Sequence, residues 1–63
     1  MNDKQAAKQA IKQSKDEGQA FVVWVFDQGR DVFSAEQARI YAPLINIEAA
    51  YVNGVQIAQE VAA

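Results

Sequence analysis

Phe21-Val22-Val23-Trp24-Val25-Phe26 is aromatic or β-branched at every position, with Gly18 before it and Asp27-Gln28-Gly29-Arg30-Asp31 after it. A run of this kind between turn formers predicts a β-strand. It does not alternate apolar with polar, so both of its faces should be buried, as in a central or doubly covered strand. One face carries Phe21, Val23 and Val25, and the other carries Val22, Trp24 and Phe26. Gly29 permits a tight turn, after which Val32-Phe33 returns as a short second strand. With Gln28-Gly29 as a two-residue turn, Trp24 lies opposite Phe33 and Asp27 opposite Arg30, each a favourable cross-strand pair.

On the C-terminal side, Ser34-Ala35-Glu36-Gln37 has the form of a capping box, which starts a short second helix. Ala35, Ala38, Tyr41 and Ala42 line one stripe of it, and Pro43 disfavours helical geometry at Ala42, limiting the helix to two or three turns. Small alanines let it lie close to a sheet. The chain then reads Ile47-Glu48-Ala49-Ala50-Tyr51-Val52, Asn53-Gly54, Val55-Gln56-Ile57-Ala58-Gln59-Glu60. Asn-Gly between apolar runs is a strong hairpin signal, because both residues tolerate positive φ. A two-residue turn pairs Val52 with Val55 and Ala50 with Ile57 on one face, leaving Tyr51, Ile47 and Ala58 on the other.

On the N-terminal side, Asp3 to Lys15 is rich in Ala, Gln and Lys, which predicts a helix over residues 3–16 with Gly18 as its stop. Its apolar face is Ala6, Ala7, Ala10 and Ile11, of which only Ile11 can bury much area. The sum is an α+β domain of order α-β-β-α-β-β, with a four-stranded, mainly antiparallel sheet and a short helix packed on it. It forms one domain over residues 1–63, comprising an N-terminal basic helix (1–18) and a ββαββ body (20–63).

The 63 residues suffice for one small core, and 51% hydrophobic with 22% charged is ordinary globular composition. Domains of this size commonly add disulfides, a metal or a second subunit. Cysteine and histidine are both absent, which removes disulfides, thiolate metal sites and the commonest transition-metal ligand, and leaves oligomerisation. The start, Met1 to Gln5, leads into a polar helix without an apolar leader core, and the longest apolar run, Ala20 to Phe26, is too short to span a bilayer. A soluble cytoplasmic protein is the expectation.

Catalysis lacks its usual parts. The hydroxyls Ser14, Ser34, Tyr41 and Tyr51 have no histidine to activate them, and Ser34 is better explained as a helix cap. Asp27, Asp31 and Glu36 cluster near the Gly29 turn, but the run lacks the alternating oxygen ligands of a calcium loop and places Arg30 among them. Gly18, Gly29 and Gly54 are scattered singly, so no phosphate-cradling loop exists. No enzyme, cofactor or metal is expected.

Charge and apolar surface carry more information. Lys4, Lys8, Lys12 and Lys15 fall on one side of the first helix. Residues 1–15 hold four lysines against Asp3, a net of +3, whereas residues 16–63 hold seven acids against Arg30 and Arg39, a net of −5. The stripe could meet phosphate or an acidic protein, or be a solvated face attracted to the acidic body. Trp24, Phe26, Phe33 and Tyr51 form a candidate partner-binding face, distinct from the one with Val23, Val25 and Val32, because two weakly apolar helices leave one side of the sheet under-covered; the alternative is that the aromatics are the core and the valine face is the exposed one. The expected function is a non-catalytic protein-interaction module, either a homodimer or an inhibitor or adaptor masking a surface of a larger protein, of the kind that phages and mobile elements encode. The alternatives are a nucleic-acid-binding domain using the lysine stripe and a structural subunit of a larger assembly.

Overall fold

The computed structural model describes residues 1–57. The expected run of the last strand through Ala58, Gln59 and Glu60 lies outside the described residues. The first helix, α1, spans Asp3–Glu17. Asn2 caps it: the Gln5 amide donates to Asn2 Oδ1 at 2.8 Å, and the Asn2 amide donates to Gln5 Oε1 at 3.0 Å. Gly18 ends it at φ +91°, with its N–H donating to the Ser14 carbonyl at 2.7 Å, a left-handed stop that glycine makes without strain.

Four strands follow: β1 (Gln19–Val25), β2 (Gly29–Phe33), β3 (Ile45–Val52) and β4 (Val55–Gln56). They form one sheet of order β2-β1-β3-β4 in which every neighbouring pair is antiparallel. The most apolar stretch of the chain is therefore an internal strand, as its lack of alternation requires. The helix α2 (Ala35–Ile40) and a 3₁₀ turn (Ala42–Leu44) carry the chain from β2 past β1 to β3. Ser34 caps α2 through the expected box: Gln37 N–H to Ser34 Oγ at 3.1 Å and Ser34 N–H to Gln37 Oε1 at 2.9 Å. Pro43 sits in the 3₁₀ turn, and α2 itself is only six residues long, shorter than the two or three turns expected.

The two faces of the sheet are covered unequally. Against α1 lie Ala20, Val22, Val32 and Tyr51, buried with Ala6 and Ala10 of the helix; the alanines allow a close approach that preserves packing density despite little side-chain volume. Against α2 lies a smaller cluster of Val23, Ala38 and Ile45, flanked by Phe21, Val25 and Phe33. Ser14, fully buried, fastens α1 to the second hairpin: its hydroxyl donates to the Ile11 carbonyl at 3.0 Å and accepts the Gly54 N–H at 2.8 Å. Arg30 fastens the other end of α1 to the sheet, with Nη1 2.9 Å from Asp3 and Nε 2.7 Å from Glu48.

Two registers differ from the expectation. In the first hairpin Val25 pairs with Gly29, Trp24 with Arg30 and Phe21 with Phe33, so the loop is Phe26-Asp27-Gln28 and Trp24 does not face Phe33. The Gln28 N–H closes a turn onto the Val25 carbonyl at 3.0 Å, with Asp27 at φ +71° and Gly29 at φ +94°. The register moves by an odd number of residues, so each β2 side chain emerges on the face opposite to the one expected. Phe33 joins Val23 and Val25, and Val32 joins Val22. The second difference is a bulge in β3: Ala49 pairs with Val22 but Ile47 with Val23, which makes Glu48 the extra residue. Ile47 therefore shares a face with Ala50 and Val52 and not with Tyr51. The Asn53-Gly54 hairpin keeps its expected register, Val52 opposite Val55, with the Ile57 N–H donating to the Ala50 carbonyl at 3.0 Å.

Candidate functional site

The four aromatics expected to form one binding face are divided by the sheet. Tyr51 is buried at 6% exposure within the cluster under α1. Trp24 is on the same face by its register but is 42% exposed, with the Arg30 guanidinium 5.7 Å from its ring centroid. That guanidinium is already held by Glu48 and Asp3, and Glu48, then Asp3, raise its pKa above the ordinary arginine value. Trp24 thus flanks a structural ion-pair cluster that joins α1, β2 and β3.

Phe26 and Phe33 are on the opposite side, where they help to form a groove. It measures about 460 Å³ and is lined by Val25, Phe26, Phe33, Tyr41 and Leu44, together with the polar Asp27, Gln28, Asp31 and Gln37. Two backbone contacts set its shape. The Phe26 N–H donates to the Leu44 carbonyl at 3.0 Å, joining the hairpin loop to the 3₁₀ turn, and the Leu44 N–H donates to the Tyr41 carbonyl at 2.8 Å. The Phe33 and Tyr41 rings meet at 5.6 Å and 49°, within the range of favourable tilted pairs.

Large side chains in this region stay in contact with solvent. Phe26 is 49% exposed, Tyr41 46% and Leu44 55%. Beside them Ile40, at the end of α2, is exposed too. Ile47, Val55 and Ile57 are also exposed, and by their register they lie on the same side of the sheet, beyond the short reach of α2. Isolated exposed apolar residues are unremarkable; a contiguous set with an aromatic groove at one end marks an interaction surface. Both acidic side chains of the groove are exposed, and none of its lining residues is basic. Asp31 accepts the Val32 N–H through one carboxylate oxygen at 2.7 Å. Asp27 has no ion pair or side-chain hydrogen bond among the described residues.

Sequence reasoning missed Tyr41, Leu44 and Ile40. Tyr41 was assigned to the sheet-facing stripe of a longer helix, whereas the helix stops at Ile40 and the 3₁₀ turn leads the chain off at another angle. The available signal was Tyr41-Ala42-Pro43-Leu44: two large apolar residues around a helix-terminating proline, where few core contacts can form.

Lys4, Lys8, Lys12 and Lys15 are all exposed and fall within about 80° of arc on α1, opposite Ala6 and Ala10, at 100° per residue. None forms an ion pair among the described residues. Among the described residues no group of three potential metal ligands is close enough to hold an ion, and no helix is long and apolar enough to cross a membrane. No protein-family model matches the chain, and no curated protein or solved structure matches it either.

Proposed function

We propose that this chain is a non-catalytic protein-interaction module that binds another protein through the α2 side of its sheet. The observation that carries the reading is the exposed set Phe26, Tyr41 and Leu44 around an open groove, continued by Ile40 and Ile47. Exposed aromatic and aliphatic side chains lining a groove are the usual anchors of a protein contact. The charge pattern favours a different protein over a second copy. An isologous contact centred on the groove would set the Asp27 and Asp31 carboxylates of one protomer near those of the other. A head-to-tail contact through the lysine face of α1 would pair the acidic margin but bring no large apolar side chain to fill the groove.

The test uses isopropanol and phenol as small apolar probes, titrated into the isotope-labelled chain while amide shifts are followed. Shifts concentrated at Phe26, Phe33, Tyr41 and Leu44, and lost in Leu44→Asp with the spectrum otherwise folded, support the reading. Shifts concentrated around Trp24, or spread evenly, would refute it.

A second reading rests on the four exposed lysines of α1, none of which is ion-paired among the described residues. A cationic stripe of this kind suits the phosphates of a nucleic acid, but the groove and its aromatics are on the other side of the sheet, so no base-stacking surface adjoins it.

A further inference from the structure

The groove's lining also specifies what its occupant must carry. We propose that it receives an arginine side chain next to an apolar residue, presented by a segment of the partner protein. This inference rests on the binding surface described above and adds the partner's chemistry to it. Val25 and Phe33 are its partly buried lining, with Phe26, Tyr41 and Leu44 half open to solvent, and this apolar surface needs an apolar occupant to exclude water. The margin is acidic: Asp27 has no side-chain partner among the described residues, Asp31 has one oxygen engaged by the Val32 N–H, and no lysine or arginine lines the groove to neutralise them.

An occupant with no charge would leave both carboxylates at the edge of the contact, partly stripped of water and unpaired, and an anionic one would be repelled. A cation satisfies them. Arginine fits better than lysine because its guanidinium is planar and weakly hydrated, so it can lie on an aromatic face while donating to carboxylates. The Asp27 loop is held in shape by the Gln28–Val25 and Phe26–Leu44 backbone bonds, so its carboxylate is presented by a fixed turn.

The experiment titrates the full chain with three capped tripeptides, Ac-Leu-Arg-Phe-NH₂ and its Gln and Glu counterparts, and maps amide shifts. The expected result is binding at the groove with the arginine peptide about tenfold tighter than the glutamine one, and the glutamate peptide weaker again. The difference should shrink with added salt, and Asp27→Asn and Asp31→Asn should each reduce it by about two- to fivefold. Asparagine suits both sites, since it tolerates the positive φ of Asp27 and keeps an acceptor for the Val32 amide. Equal binding of the arginine and glutamine peptides at the groove would overturn the arginine assignment and leave the contact surface standing. Shifts elsewhere, with none at Phe26, Tyr41 or Leu44 for any peptide, would overturn both.

Discussion

Ser14→Ala tests how the domain holds together without a large core. Ser14 is fully buried, and its hydroxyl is the acceptor for the Gly54 N–H at 2.8 Å. The substitution leaves that donor facing a methyl group. An unsatisfied buried amide costs about 1–3 kcal/mol; Gly54 is only partly buried, so the lower part of that range, about 1–2 kcal/mol, applies here. The lost bond to the Ile11 carbonyl matters less, because a mid-helix carbonyl keeps its backbone donor. Alanine's better helix propensity returns about 0.5 kcal/mol. The net loss is then about 0.5–1.5 kcal/mol, and at about 4–8 °C per kcal/mol for a domain of this size the Tm should fall by about 2–12 °C. Thermal unfolding followed by circular dichroism measures the loss, and amide exchange locates it: Gly54 should exchange faster out of proportion to the global change. A Tm within about 1 °C of the parent, with Gly54 exchange unchanged, would refute the claim that this bond ties α1 to the second hairpin.

Val23→Ala removes two methyl-sized groups from the best-buried side chain of the α2-side cluster, which should cost about 2–3 kcal/mol in denaturant unfolding once the cavity is counted. Leu44→Ser, at a half-exposed position, should cost under about 1 kcal/mol in the same assay, which separates surface from core. Arg30→Met should release the start of α1, read as faster amide exchange over residues 5–8 with β1 still protected. Because Glu48 raises the Arg30 pKa, this ion pair's contribution from the arginine is complete below the ordinary arginine range and is lost only above it. Stability between about pH 6 and about pH 10 should show no step of Arg30's making. Lys4, Lys8 and Lys12 replaced together by Gln should leave folding intact; if the nucleic-acid reading is right, the triple variant loses retention on a DNA column along with its salt dependence, and if retention is unchanged that reading fails.

The element order was legible because its signals are local: the Ser34–Gln37 box, the glycine stop of α1 and the Asn53-Gly54 turn each depend on a few adjacent residues. The first hairpin was not, since Gln28-Gly29 reads as a two-residue turn, and only the left-handed Asp27 reveals a three-residue loop. An aspartate accepts that conformation more readily than most residues do, but the sequence does not mark it. The bulge at Glu48 was equally hidden. Strict period-two reading put Ile47 with Tyr51, while the extra residue moves it to the opposite face and turns Glu48 toward Arg30. These two shifts decide the site. They divide the aromatics into a structural pair under α1 and beside Arg30, and a groove pair that Tyr41 and Leu44 complete. That the sheet carries more apolar surface than its helices cover was readable from composition; which side remains open depended on register.

Sedimentation equilibrium of the purified chain, over concentrations from about 1 to about 200 μM, tests the central claim most directly, because standard protein contacts with well-packed anchors associate within that range. A folded monomer throughout is the predicted result, leaving the Phe26–Tyr41–Leu44 surface free for a different protein. A stable dimer that Leu44→Asp dissociates would contradict it, showing that the same surface is already filled by a second copy of the chain.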